Sequence, residues 1–202
     1  RMAFIRSHRQ SPLALYVAGE MISKSFSVPA TDLEEILARN CHISDTARAA
    51  RFCRQAEQAR YFCKDIHYPD VPLHTPTFDT TLLSAHIRPG HVMLIDCWAS
   101  WCGPCRAAIP AVKALYDKYD RDRFDVISIS LDSKKEDWQK ALEEEKMPWP
   151  QFIAGNRGYE QLTLRYNINS IPNLILIDDK GQVVCNTFSP EEISIELEEI
   201  LR

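Results

Sequence analysis

Apolar residues recur at helical spacing through the first third of the chain. Pro12 after Ser11 suits a helix start, and Leu13, Val17, Met21 and Ile22 follow at near-helical steps, predicting a first helix to about Ser25. Thr31 with Glu34 has the form of a capping box ahead of Leu33, Ile36 and Leu37, which predicts a second helix. Ser44 and Asp45 offer caps for a third, running through Cys63. In it Ala49, Phe52, Cys53, Ala56, Ala59 and Phe62 form an apolar face opposite Arg48, Arg51, Arg54 and Gln55. Pro69, Pro72 and Pro76 break helices and favour an extended connector over 68–76. The expected division is a helical region with its linker over 1–68 and a second domain over 69–202.

Beyond the connector the period switches between strand and helix. Residues 92–98 read as a buried strand, 105–119 as a helix, 124–131 as a strand and 135–146 as a helix. A short helix over 159–166, a strand over 173–177, its hairpin partner over 182–186 and a last helix over 191–201 follow. Such alternation predicts an α/β layered fold with largely parallel central pairing, preceded by a small all-α region.

Composition narrows the classes. In 202 residues, 45% hydrophobic and 26% charged are ordinary globular values, against disorder and against a collagen-like chain. The net charge of -4 opposes bulk nucleic-acid binding, which needs a basic surface. It is unevenly spread: residues 1–76 hold ten Lys and Arg against eight Asp and Glu, the remainder fourteen against twenty. The apolar run 92–95 is strand-sized and no run approaches the length of a membrane span, so none is expected. The chain opens on Arg1 without a signal-peptide pattern, which reads as a fragment or processed product.

Seven cysteines are too few for a disulfide scaffold and too many, being odd, to pair completely. Two stand apart, in Trp101-Cys102-Gly103-Pro104-Cys105, between a predicted strand and a predicted helix. At a helix start, unpaired backbone N–H groups and the macrodipole stabilise a thiolate on Cys102. Cys105, one turn inward, can then close a disulfide with it after a mixed disulfide has formed. Pro104 costs no hydrogen bond in the first turn, and Gly103 leaves room for an incoming chain. Half of a zinc site is the competing reading, but no second such pair exists, and haem attachment would need His where Arg106 stands. The six histidines form no i, i+4 pair, so no metal is expected.

The run MLIDCWASWCGPCR over 93–106 resembles the active-site strand and turn of the thioredoxin superfamily, and the resemblance covers roughly 72–202. It implies a thioredoxin-like fold with a central mixed sheet flanked by helices. It makes Cys102 the nucleophile, Cys105 the resolving cysteine and Asp96 the buried acid that moves the proton of Cys105. Trp98 and Trp101 match the flanking tryptophans, and Pro110 the proline inside the active-site helix. Ile171-Pro172 matches the cis-proline turn that offers backbone to an extended substrate, so that Trp101, Gly103, Pro104, Ile171 and Pro172 form the substrate-binding set.

Asp132 and Ile171 lie 39 positions apart, far more than in plain thioredoxins, and 135–153 reads as an inserted helix and strand. With a further strand entering from 78–87, this resembles the TlpA/ResA-type thiol:disulfide oxidoreductases of bacterial envelopes. It implies a C-terminal fragment of a larger envelope or periplasmic protein, with no cofactor beyond the Cys102-Cys105 disulfide. Its partners would be protein disulfides and an upstream thiol electron donor. Gly-Pro between the cysteines resembles the reducing members.

Two positions depart from pattern. Ala108 stands where ResA-type proteins commonly carry Glu, and Ser128 where many thioredoxins have a Lys paired with the buried acid. Without that cation, burial should raise the Asp96 pKa. Cys97 is read as core on the opposite face of its strand, and Cys41, Cys53, Cys63 and Cys185 likewise as free, packed thiols. The alternatives are a redox-inactive partner-binding module and a peroxiredoxin-like peroxidase, the latter opposed by the lack of a Thr-x-x-Cys setting.

Overall fold

The computed structural model describes residues 1–8, 11–22, 28–40, 47–59 and 66–202. The chain divides into two compact units, Arg1–Ile66 and His67–Arg202.

The first unit is helical among its described residues: α1 (Met2–Ser7), α2 (Pro12–Ile22), α3 (Ala30–Asn40) and α4 (Ala47–Ala59). Ile5, Ala18, Leu33, Ile36, Leu37, Phe52, Ala56 and Ala59 form its core. Each Leu, Ile or Phe so buried contributes roughly 1.5–3 kcal/mol of transfer free energy. Periodicity missed α1 because six residues span under two turns and only Ile5 is buried. α3 starts at Ala30, and the Leu33 N–H donates to the Pro29 carbonyl at 3.0 Å, so Thr31 lies inside the first turn rather than capping it. The apolar face expected on α4 is buried at Phe52, Ala56 and Ala59. Ser25, the caps at Ser44 and Asp45, Phe62, Cys41 and Cys63 lie outside the described residues. Cys53 is disulfide-bonded, which corrects its reading as a free thiol; a cystine and a packed thiol have the same hydropathy on a helix face.

The second unit is built on a sheet. The strands of the chain are β1 (Ile66–His67), β2 (Pro72–His74), β3 (Thr80–Leu82), β4 (Val92–Trp98), β5 (Phe124–Ser130), β6 (Gln151–Ile153), β7 (Asn173–Ile177) and β8 (Gln182–Thr187), in the order β1-β8-β7-β4-β5-β6-β2-β3. β5 runs parallel to β4 and to β6, whereas β7 lies antiparallel to β4 and to β8, and β2 antiparallel to β3 and β6. The central pairing is therefore mixed, as the resemblance implied, and not largely parallel as alternation alone suggested.

Four helices accompany the sheet: α5 (Gly103–Lys118), α6 (Lys135–Glu145), α7 (Gly155–Tyr166) and α8 (Pro190–Ile200). α6 and β6 are the helix and strand expected as an insertion. The strand expected over 78–87 is shorter; Thr80–Leu82 pairs and Leu83–His86 turns into a 3-10 helix. The stretch expected as a connector contains β2, since the extended backbone that prolines favour also suits a strand near a sheet edge.

β4 is buried at all seven positions between β5 and β7, which accounts for its near-continuous apolar run. One cluster joins Leu94, Phe124, Val126, Leu174 and Leu176 to Val112 of α5 and to Ile193 and Leu197 of α8. A second gathers Trp98, Cys102, Cys105, Ile109, Trp138, Ala141 and Ile153. α7 lies directly on β2: a Cβ on Gly158 would come within 2.6 Å of the Pro72 carbonyl oxygen, so a side chain there would force the helix away.

Candidate functional site

The end of β4 delivers the redox motif. After Trp98 the chain turns through Ala99, Ser100 and Trp101, and Cys102 takes the N-cap position of α5 in an extended conformation. Its sulfur accepts a hydrogen bond from the Cys105 N–H at 3.2 Å, and Pro104 occupies the first turn, where no N–H is needed. Cys102 and Cys105 form a disulfide with a Cα–Cα distance of 5.2 Å. Both are buried, whereas Trp101 beside them is 69% exposed. A Cβ on Gly103 would meet nothing within 4 Å, leaving open space above the turn. Pro110 lies inside α5.

The Ile171–Pro172 peptide is cis. Ile171 packs against the cluster that holds both cysteines. Trp101 and Ile171 also line a groove of about 500 Å³, together with Leu131, Tyr159 and Ile168 as apolar walls and Asn156 and Asn169 as polar ones. The structure thus brings Trp101, Cys102, Cys105 and Ile171 to one place, with Gly103, Pro104 and Pro172 adjoining them in the chain.

Asp96 lies two residues before the end of β4 and is paired in register with Ser128 on β5, which sets both side chains on one face of the sheet. The Ser128 hydroxyl donates to Asp96 Oδ2 at 2.8 Å. Burial pushes the Asp96 carboxyl up to about 6, against the smaller, opposing effect of that hydrogen bond. This is the direction expected from Ser in place of Lys. On the other face, Cys97 is a free, buried thiol held well above the usual thiol range, first by burial and then by the nearby charge of Asp96. Cys185 lies half-buried on β8.

Two features escaped the sequence reading. Asp132 accepts from the Ser100 N–H at 2.9 Å, from Ser100 Oγ at 2.7 Å and from Ser130 Oγ at 2.7 Å, tying the turn before Cys102 to the end of β5. The Ser-x-Asp pattern over 130–132 is the signal in the sequence, where Asp132 enters only through its spacing from Ile171. Second, Trp149 Nε1 donates to Ser128 Oγ at 2.8 Å. Arg106 joins α5 to α6 through Glu144 at 2.7 Å and Glu145 at 2.5 Å, in place of the ligand that haem attachment would require.

Comparison with known proteins agrees with this geometry. The family described as Thioredoxin-like matches residues 90–183. The thiol-disulfide oxidoreductase ResA of Geobacillus kaustophilus is 26% identical over 133 residues, covering 62% of this chain and 75% of the relative. Among the curated relatives it matches, the chain spans 61% of one and 64% of another. The thioredoxin domain of a thiol-disulfide oxidoreductase from Bacteroides vulgatus shares the fold, with a TM-score of 0.63 at 23% identity over 70% of this chain and 99% of that one. A structure described as a putative thiol:disulfide interchange protein DsbE from Chlorobium tepidum is 30% identical, with a TM-score of 0.58, over 69% of this chain and 96% of that one. A CxxC disulfide at the start of α5, the mixed sheet with its inserted α6–β6 unit and these relatives agree, and the chain belongs to the thioredoxin superfamily as a TlpA/ResA-type thiol-disulfide oxidoreductase.

Proposed function

We propose that the protein reduces protein disulfides through a Cys102–Cys105 dithiol/disulfide cycle. The observation that carries this reading is the placement of Cys102 at the N-cap of α5, bonded to Cys105 one turn inward and next in the chain to Trp101, which lines an apolar groove. In the reduced protein, the N–H groups of the first turn and the helix dipole favour the Cys102 thiolate. That thiolate attacks one sulfur of the substrate disulfide. The Cys102–substrate bond forms, the substrate bond breaks, and the departing substrate sulfur takes up a proton. Asp96 accepts the proton of Cys105, and the resulting thiolate attacks the Cys102 sulfur. The Cys102–Cys105 bond forms and the second substrate thiol leaves. Two electrons pass to the substrate, and an upstream dithiol donor restores the pair.

Asp96 suits the base role because a carboxyl titrating near 6 is ionised at neutral pH while retaining useful proton affinity. Trp101, Gly103, Pro104, Ile171 and Pro172 receive the substrate, with the open space over Gly103 and the groove beside Ile171 supporting that assignment. An envelope location fits the disulfide at Cys53, because such bonds persist in oxidising compartments.

Cys102→Ser is expected to abolish reduction of a model protein disulfide, and Cys105→Ser to accumulate a mixed disulfide visible by non-reducing electrophoresis. Full turnover by the Cys102 variant would overturn the cycle.

A further inference from the structure

Asp96 has Ser128 as its hydrogen-bond partner, and Ser128 is itself held from another side. Ser128 Oγ lies 2.8 Å from Asp96 Oδ2, 2.8 Å from Trp149 Nε1 and 3.9 Å from Met147 Sδ. An indole nitrogen only donates, whereas a hydroxyl carries one proton and two lone pairs. Trp149 therefore occupies a lone pair of Ser128, and the Ser128 proton must leave in another direction. Two acceptors stand there, the carboxylate of Asp96 and the weaker thioether of Met147.

We propose that Trp149 is a positioning residue for Asp96: its indole N–H fixes the Ser128 hydroxyl so that the single proton points to the carboxylate while Asp96 is charged and turns to Met147 when Asp96 takes up a proton. In the neutral state the Asp96 O–H donates to the remaining lone pair of Ser128. The same four side chains then satisfy both charge states by a rotation about one C–O bond, with no heavy atom displaced.

Trp149 is well placed for this. It is 3% exposed, packs its ring 5.2 Å from that of Tyr116, and belongs to the cluster containing Leu94, Val112 and Phe124. Met147 and Trp149 both come from the segment between α6 and β6, so the inserted unit supplies a neutral substitute for the missing lysine.

The surroundings leave the hydroxyl as the polar partner of the carboxylate. On the sheet Asp96 is flanked by Ser128 of β5 and Leu174 of β7. Its own strand adds the Cys97 thiol on the opposite face. α5 carries Cys105, which titrates once reduced, Arg106, bound to Glu144 and Glu145 of α6, and Lys113, bound to the Glu145 carbonyl at 2.6 Å.

The inference rests on Asp96 as the base for Cys105, and its test is made in the oxidised full chain, where no turnover is read. The Asp96 carboxyl and the Trp149 indole N–H are followed by NMR across its titration. In the wild type both resonances should move with one midpoint. Ser128→Ala should raise the Asp96 midpoint by about half to one pH unit, the effect of one lost hydrogen bond to the charged form, and should uncouple the indole. Trp149→Phe should raise it by a smaller amount, and by nothing further in the Ser128→Ala background. An indole resonance that stays flat while Asp96 titrates would overturn the proposal, as would a Trp149→Phe shift that is the same with and without Ser128. If Trp149→Phe does not fold, the wild-type and Ser128→Ala spectra decide alone. An Asp96→Asn protein that resolves mixed disulfides at full rate would instead overturn the base assignment while leaving the hydrogen-bond relay intact.

Discussion

Asp96 and Asp132 are hidden to the same degree, each 4% exposed, yet the protein treats them differently. Asp132, at the rim of the sheet beyond β5, accepts three hydrogen bonds, two of them from Ser100 in the turn before the redox pair. Asp96, inside β4, accepts one side-chain hydrogen bond from the described residues, that of Ser128. Burial alone therefore does not define a buried acid's role; the number of donors around it does. A carboxylate with three donors works as a tie between two backbone segments. One with a single donor keeps much of its desolvation cost and hence its affinity for a proton.

The largest way to break this contrast is Asp132→Ala. Two serine hydroxyls and a backbone N–H lose their acceptor, and the loss should be about 3 kcal/mol, read as a drop in the denaturant midpoint. Redox activity should fall with it, because the Cys102 turn loses its tie to β5. A variant as stable as wild type would place the clamp outside the folding energetics.

The opposite sign is expected at Asp96. It holds its proton to about pH 6 in the folded protein against an ordinary value of 3.8. The stability associated with that raised value is complete below about 3.8 and is lost as pH rises through about 6. Asp96→Asn should therefore be more stable than wild type at pH 8, by about 1–2 kcal/mol, while resolving the mixed disulfide more slowly. Denaturant titrations at acid and alkaline pH check the first half and stopped-flow resolution the second. An unchanged pH dependence of stability would remove the distinction between the two acids.

The smallest effect belongs to Ser100→Ala. It deletes one donor to Asp132 but leaves the Ser100 N–H and Ser130 in place, so about 1 kcal/mol should be lost, measurable by thermal unfolding.

Much of this was legible in the sequence because it is local. The apolar run of β4, the CxxC pair ahead of a helix, and Ile171-Pro172 before β7 are contiguous signals, and the structure sets Trp101, Ile171 and the cysteines near one another. Ser128 as the neighbour of Asp96 came from the resemblance, as the position where many thioredoxins carry Lys. What stayed hidden is polar and distant. Ser100 meets Asp132 across 32 positions, and Trp149 meets Ser128 across 21. Periodicity reports which face is apolar and says nothing of which hydroxyl finds which carboxylate. The disulfide at Cys53 was hidden for a related reason, since an apolar face accepts either oxidation state of sulfur.

Gly158 turns a missing carbon into a dimension of the groove beside Trp101 and Ile171. α7 supplies Gly155, Asn156 and Tyr159 to the groove, and the same helix rests on the Pro72 carbonyl through Gly158 and donates from Tyr166 Oη to the Pro69 carbonyl at 2.7 Å. The calibre of the groove is thus set from behind, by how closely a helix can lie against a short strand near the sheet's edge. If the groove receives a polypeptide as proposed, Pro69 and Pro72 bear on its width without lining it.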